Sequence, residues 1–265
     1  MKTFHGLFAA IAVSAACLLS LATSAGAQSH RDVVAKSKDM VPSPPWSKGD
    51  QVGMANTLGL GTWMRCAQHL TNAKSRSYEV SHLRSNTMPL SPFGVPLKYK
   101  FRPTASVPYS KHAFNGEHVE SGEPGAQGTQ MDALGHFAYL ENMWKGEGAI
   151  PVDTASYYGG YKQGDVKPNA ASPLLKLGIE NVPPIITSAV LLDAKSHLGG
   201  GEAMQPGQLV TTADIEAMLA AQGLGWRGLL PGDVVYIYAG WSDHWKDPDV
   251  DKVYYTTNAK PGWPG

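Results

Sequence analysis

The stretch AVLLD at residues 189–193 is a short apolar run that ends in a carboxylate, a pattern typical of a strand buried on both faces. The stretch TTAD at residues 211–214 predicts the start of a helix, because Thr and Asp at this spacing can form a capping box, and Gly223 suits its carboxyl-terminal cap. A second buried strand is predicted at residues 234–238, VVYIY. A strand, a helix and a strand in this order indicate a mixed α/β core.

The amino-terminal half carries weaker signals. Residues 56–70 favour a helix that contains Cys66, which we interpret as a buried structural thiol rather than a nucleophile. Residues 78–83 alternate in polarity as a strand does. Gly and Pro punctuate the region between residues 94 and 128, so it is predicted to be a binding loop or lid without assigned elements.

Composition excludes several classes of protein. The chain has 265 residues with 22 Lys+Arg against 22 Asp+Glu, so its formal charge is zero and no basic surface is expected to bind nucleic acid. Hydrophobic residues make up 43% of the chain, which is enough to bury a large core and argues against a disordered protein. No Pro/Ser-rich linker divides the sequence, so a single domain is expected.

The amino terminus resembles a secretory signal peptide. Lys2 precedes an apolar run over residues 7–22, and residues 25–27 read Ala-Gly-Ala, which fits a cleavage site. We expect residues 1–27 to be removed and the mature protein to be periplasmic or secreted. The run is shorter than a membrane span, so no stable membrane anchor is expected. The mature chain then retains Cys66 alone, and any metal must be held by His, Asp, Glu or amide oxygen.

The stretch GTQMDALGHF at residues 128–137 is the densest group of polar residues. If it is extended, Gln130 and Asp132 project from one face, and Gly135 allows the chain to bend so that His136 returns to them. Such a trio could bind a metal ion or carry out general acid/base chemistry. The alternative is a turn in which Asp132 caps backbone amides.

Residues 126–136 resemble the signature His-x-Gly-Thr-His-x-Asp-x-x-x-His of the metal-dependent cyclase family, which includes bacterial kynurenine formamidase and isatin hydrolase. Further family segments follow the same order along the chain. In this chain they correspond to Trp46 with Asp50, Gln51, Gly53 and Asn56, to residues 190–193, to residues 206–207 and 212–215, and to residues 232–241. The resemblance therefore covers nearly all of the mature chain.

The resemblance implies a fold and an activity. The fold is a swivelling β/β/α domain with a mixed sheet and flanking helices. The reaction is hydrolysis of an amide, aryl-formamide or cyclic amide with the help of divalent zinc or manganese. By position, Asp132 is the metal carboxylate and His136 is the acid/base that acts on the attacking water. The implied partners are a small-molecule amide substrate and further copies of the chain, as a dimer or larger homo-oligomer.

Two signature histidines are replaced in this chain, by Ala126 and Gln130. The amide oxygen of Gln130 can still bind a metal, but a set of mainly oxygen donors favours manganese, magnesium or calcium over zinc. We therefore expect the metal ligands to be Gln130, Asp132 and His136 in a weakened site. His118 is a candidate additional ligand if its loop folds back.

Two further expectations concern the carboxyl-terminal half. Asp193 ends a predicted strand, where it could be a second carboxylate of the site or a residue that bonds backbone amides. In relatives, a helix and a strand carrying a His and a Glu follow the position of Gly265, so we expect the domain at residues 28–265 to be incomplete at its carboxyl end. The alternatives to a hydrolase are a non-catalytic ligand-binding descendant and an inactive truncated fragment.

Overall fold

The computed structural model describes residues 44–89, 95–123, 128–205 and 207–246. The predicted signal peptide, Ala126 and the last residues of the chain lie outside these ranges. None of the helices in the described part of the chain is long and apolar enough to cross a membrane.

A mixed α/β unit forms the carboxyl-terminal half. Strands β3 (Ala189–Leu192) and β4 (Val234–Ile237) pair in parallel, and the connection between them contains helices α3 (Ala194–His197) and α4 (Thr212–Ala221). Both predicted strands are confirmed. The side chains that form the core of this unit are Val190, Leu192, Ala194, Met204, Met218 and Leu219.

Burial of both strands on two faces was predicted, and this prediction is wrong. In β3, Val190 and Leu192 are buried beneath α4, whereas Leu191 is 58% exposed. Tyr236 and Ile237 of β4 are 45% and 44% exposed. The sheet has two strands within the described ranges, and the described helices cover one of its faces.

The start of α4 has the predicted capping box. The N–H of Asp214 donates to the side-chain oxygen of Thr211 at 3.2 Å, and the Asp214 carboxylate accepts the N–H of Thr211 at 2.7 Å. Two N–H groups that the helix itself leaves without partners are thus satisfied. Gly223 follows the helix with φ at +70°, which confirms the predicted carboxyl-terminal cap.

Helix α1 (Leu60–Leu70) is shorter than the predicted helix at residues 56–70. The first residues of that range belong to a separate 3₁₀ helix at Gly53–Thr57. Cys66 within α1 is half-buried rather than buried. The helix lies against the turn before β4, where Gly232 has φ at +83° and leaves no room for a Cβ, which would lie 2.7 Å from the Thr62 methyl group.

The described part of the region between residues 94 and 128, residues 95–123, contains a β-ribbon, so the loop prediction is wrong. Strands β1 (Lys98–Ser106) and β2 (Ala113–Ser121) pair antiparallel, with register shifts within the ladder. By contrast, the strand predicted at residues 78–83 is absent, since no described strand pairs with this exposed segment. The remaining elements are helix α2 (Gln163–Val166) and 3₁₀ helices at Val152–Thr154, Tyr158–Gly160, Ile179–Asn181 and Trp241–His244.

A buried charge network closes the amino-terminal edge of the parallel pair. Asp233, directly before β4, accepts two hydrogen bonds from Arg227 at 2.7 and 2.9 Å and one from the Ser188 hydroxyl at 2.5 Å. The Asp233 side chain is 2% exposed. Arg65 of α1 donates to Ser188 at 3.2 Å and so joins the helix to the sheet.

Candidate functional site

The signature segment bends at Gly128 and Thr129 and has neither helix nor strand from there to Ala133. The side chains of Gln130 and Asp132 lie together, as their spacing predicts, and the Gln130 amide nitrogen donates to the Asp132 carboxylate at 3.2 Å. Both residues are exposed. The Gln130 amide and the Asp132 carboxylate therefore lie side by side in an exposed position, and the amide nitrogen is the atom that faces the carboxylate.

His136 is not joined to this pair. Its N–H donates to the Ala133 carbonyl at 2.9 Å, which closes a tight turn, and its ring contacts Phe137 edge-on with centroids 4.5 Å apart. Within the described ranges, no hydrogen bond or ring contact links His136 to Gln130 or Asp132. The structure thus brings together two of the three predicted signature side chains.

His118, the candidate additional ligand, lies on β2. Its Nδ1 atom accepts a long hydrogen bond of 3.5 Å from Arg102 across the ribbon. No contact among the described residues joins His118 to Gln130 or Asp132. More generally, the described ranges contain no group of three or more His, Cys, Asp or Glu side chains that could hold a metal ion.

The donors that do lie together suit a hard cation. The Asp132 carboxylate is an oxygen ligand, and the Gln130 amide would add its oxygen once its nitrogen turns away from the carboxylate. Oxygen ligands fit manganese, magnesium or calcium better than zinc. Two protein donors leave most coordination positions to water. The chemistry of this pair therefore fits a weakly held divalent ion.

The segment before the ribbon supports the signature from one side. The N–H of His82 donates to the Thr129 hydroxyl at 3.0 Å, and the Arg84 guanidinium donates to the Thr129 carbonyl. The Trp245 ring stacks on His82 with centroids 4.8 Å apart and an interplanar angle of 13°. Arg84 was not identified from the sequence. The signal that could have indicated it is its spacing from His82, because residues two apart in an extended segment project from the same side.

A second set of hydrogen bonds connects the turn that carries His136 to a buried part of the chain. The N–H of Gly135 donates to the Leu177 carbonyl at 3.0 Å, and the N–H of Leu177 donates to the side-chain oxygen of Gln51 at 3.0 Å. Leu177 is fully buried and has φ at +62°, which is unusual for a residue other than Gly. This connection was also missed, because nothing local in the sequence indicates it.

The segment around Gln51 is itself anchored by Asp50. This carboxylate accepts hydrogen bonds from Asn56 at 2.6 Å, from the Tyr158 hydroxyl at 2.7 Å and from the N–H of Gly53 at 2.9 Å. Desolvation alone would raise the pKa of Asp50, but these hydrogen bonds outweigh it and lower the pKa. Desolvation and the hydrogen bond to Asp50 raise the pKa of Tyr158 to about 12.

Asp193 has a structural role. It caps α3 by accepting the N–H of Ser196 at 2.9 Å and the Ser196 hydroxyl at 2.7 Å, and these hydrogen bonds lower the pKa of Asp193. Of the two interpretations of this carboxylate, the structure therefore supports the one in which it bonds the backbone.

An open groove lies next to the signature segment. It has a volume of about 430 Å³ and is formed between residues 84–87 and the ribbon. The rings of Tyr99 and Phe101 contribute to its wall, together with the charged side chains of Arg84 and Glu117. The Asn86 side chain fixes one edge by pairing with both the N–H and the carbonyl of Tyr99, at 2.7 and 3.0 Å.

Comparisons with known proteins agree on one family. The family model described as "Putative cyclase" matches residues 44–265. A crystal structure described as that of a novel cyclase is similar, with a TM-score of 0.60 and 26% sequence identity over 79% of this chain. This chain spans 64% of the length of that solved chain. The search of curated proteins finds no match. The match over residues 44–265 and the similar structure show that the chain belongs to the cyclase family.

Proposed function

We propose that this chain is a metal-assisted hydrolase of a C–N bond in an amide, aryl-formamide or cyclic amide. Membership of the cyclase family supports an enzyme. The observation that carries the proposal is the contact between Gln130 and Asp132, which sets an amide and a carboxylate side by side on an accessible segment. The finer fold that we propose is the swivelling β/β/α domain that the signature implies.

The residues that would hold a divalent metal are Asp132 and Gln130. When bound, such an ion lowers the pKa of water and so supplies a nucleophile near neutral pH. His82 and Arg84 would keep these donors in place, because both bond to Thr129 directly before them. Manganese is the ion that we expect in preference to zinc.

His136 is the proposed acid/base. Water adds its oxygen to the carbonyl carbon of the substrate, and His136 accepts the proton that this water loses. His136 then returns the proton to the nitrogen as the C–N bond breaks, which leaves a carboxylic acid and an amine. Because the ring packs against Phe137 and lies apart from Asp132, substrate binding has to bring these groups to one reacting carbonyl.

The proposed substrate is aromatic. The groove between residues 84–87 and the ribbon adjoins the signature through Arg84, and the rings of Tyr99 and Phe101 offer it stacking surfaces. Its volume of about 430 Å³ is within the range of small-molecule sites. An aryl-formamide or an isatin-like cyclic amide has a size and shape that suit it.

A non-catalytic binding protein is the second candidate. It is favoured by the position of the Gln130 amide nitrogen, which points to the Asp132 carboxylate, and by the separation of His136 from both residues. In such a protein, the groove would bind a ligand without hydrolysing it.

Metal analysis combined with hydrolysis assays separates the two candidates. The full chain, purified with manganese, is assayed with N-formylkynurenine and isatin, beside the variants Asp132→Asn and His136→Ala. We expect each variant to lose about 10²-fold or more in kcat, the range for general acid/base catalysis. Asp132→Asn should also lose bound metal. The controls are Asp153→Asn and His69→Ala, which change exposed residues and should leave kcat and the bound metal unaffected.

A folded protein that binds no metal and is inert towards both substrates would refute the hydrolase. If this protein still binds isatin, and Asp132→Asn and His136→Ala leave that binding intact, the second candidate is supported. A chain at residues 28–265 that shows no cooperative thermal transition would contradict both candidates.

Location and assembly are proposals as well. We propose export with cleavage after Ala27, since the run at residues 7–22 and the Ala-Gly-Ala ending resemble a signal peptide. Sequencing of the secreted protein should then begin at Gln28, and an intact amino terminus would refute cleavage.

We also propose a homo-oligomer, because the ribbon leaves apolar side chains exposed on two strands.

A further inference from the structure

We infer that Gln51 is a positioning residue for the turn that carries His136. The inference deepens the proposed function, because it rests on His136 as the acid/base. Gln51 acts through Leu177 and Gly135, and it reaches them from the amino-terminal segment, 126 residues before Leu177. No contact of the Gln51 side chain with a substrate is required.

The first step is the conformation of Leu177. Its φ of +62° lies in the left-handed region, where a side chain with a Cβ is strained. Such a conformation persists only when the surroundings hold it. Leu177 is fully buried, its N–H is bonded to the Gln51 side chain at 3.0 Å, and its carbonyl is bonded to the N–H of Gly135 at 3.0 Å. The peptide groups on both sides of Leu177 are therefore fixed.

The second step is the close fit at Gly135. A Cβ at this position would lie 3.0 Å from the end of the Leu174 side chain and 3.3 Å from both the Cβ and the carbonyl oxygen of Leu177. The backbone of Gly135 thus lies directly against Leu177. Since Gly135 is the residue of the turn directly before His136, the position of Leu177 determines where the turn holds His136.

The third step is the rigidity of Gln51 itself. The neighbouring Asp50 is held by Asn56, Tyr158 and the N–H of Gly53. Gly53 also lies near the signature, because a Cβ there would be 3.4 Å from the Leu134 side chain. A fixed backbone at Gln51 gives its side-chain oxygen a defined position, which is what a positioning residue needs.

Hydrogen exchange measures this connection without reference to catalysis. In the wild-type protein, the amides of Leu177 and Gly135 should be protected from exchange, and unprotected amides would overturn the inference. Gln51→Ala should raise the exchange rates of both amides about tenfold or more. Gln51→Glu keeps an acceptor for the N–H of Leu177 and should restore the protection.

Kinetics test the consequence for His136. Gln51→Ala should lower kcat about tenfold at unchanged KM, and Gln51→Glu should recover it. Gln222→Ala is the matched control, because Gln222 likewise bonds backbone groups, the N–H of Asp193 and the carbonyl of Leu191, at 3.0 and 2.8 Å. This control should leave kcat and the exchange rate of the Gly135 amide unchanged.

The inference would be overturned if Gln51→Ala and Gln222→Ala had equal effects on kcat. It would also be overturned if Gln51→Ala left the exchange rate of the Gly135 amide unaltered. An inactive wild-type protein would refute the proposed hydrolase, while the exchange rates would still decide whether Gln51 fixes the turn. If Gln51→Ala does not fold, the protection of the wild-type amides and its retention in Gln51→Glu decide the same question.

Discussion

Several residues contact the backbone of the candidate site without carrying a reactive group, and Gly135 is the clearest case. Its backbone lies against Leu177, and the missing side chain is what allows this contact. Gln51, Leu177 and Gly135 form one connection through hydrogen bonds of 3.0 Å each. The site therefore depends on residues that carry no reactive group.

Gly135→Ala should destabilise the protein. The new Cβ would require Leu174 and Leu177 to move by several tenths of an ångström, and such overpacking costs about 1–3 kcal/mol of the free energy of unfolding. Urea unfolding measures this change. Gly164→Ala is the matched control, since Gly164 lies in α2 with open space around it, and it should be neutral or slightly stabilising. A neutral Gly135→Ala would contradict the close fit.

At the scale of elements, the β1–β2 ribbon leaves several apolar side chains exposed, although residues 84–87 lie beside it. A two-stranded ribbon is marginally stable alone in water, yet Phe101, Phe114 and Val119 are 72%, 54% and 50% exposed. The outer edge of β2 also presents unpaired backbone groups within the described ranges. These features support the proposed homo-oligomer, in which a second copy of the chain would cover this surface.

Charge on the ribbon should disrupt that assembly. We expect the wild-type protein to sediment as a dimer or larger species, and the double variant Phe114→Asp, Val119→Asp to sediment as a smaller one. Trp226→Asp is the control, because Trp226 is 86% exposed and lies outside the ribbon. A wild-type protein that is monomeric at all concentrations, or a double variant of unchanged size, would contradict the proposed interface.

At the scale of the whole molecule, Asp233 links stability to pH. Burial alone would raise the pKa of Asp233, but hydrogen bonds from Arg227, Ser188 and the N–H of Leu230 hold it at about 2, below its ordinary value of 3.8. A pKa that is lowered by folding stabilises the protein above the unfolded pKa. This contribution, about 2 kcal/mol, is lost as the pH falls from about 4 through about 2.

Asp233→Asn should therefore be less stable at pH 7 by about 2 kcal/mol or more, since it leaves Arg227 without its buried partner. The difference between wild type and variant should shrink as the pH falls below 4. Urea unfolding at pH 7, 4 and 3 measures it, with Asp153→Asn, an exposed residue, as the control. A difference that stays constant with pH would contradict the assigned pKa.

Local patterns account for what could be predicted from the sequence. The strands at β3 and β4 follow from short apolar runs, and the start of α4 follows from the spacing of Thr211 and Asp214. The contact of Gln130 with Asp132 was predicted from the twofold period of an extended chain, and the two side chains do meet. Family membership follows from the order of several such segments.

What could not be predicted depends on distant partners. The ribbon was missed because Gly and Pro around it obscured the alternation of its side chains at residues 98–102. Burial of both faces of the sheet was predicted from apolar content, which does not show how many neighbours a strand has. The position of Leu177 depends on Gln51, and no local signal connects residues so far apart.

The distance along the chain between Gln51 and Leu177 also has a consequence for the order of folding. The β3–α4–β4 unit assembles from one continuous stretch, whereas the bond between Gln51 and Leu177 closes a loop of 126 residues. Loop closure costs chain entropy, and this cost is offset only by the favourable contacts that form after the loop has closed, so local units form early. We expect the amides of the β3–β4 unit to become protected first during refolding, and those of Gly135 and Leu177 last, as pulse-labelled exchange can measure. The site would then be the final part of the molecule to mature.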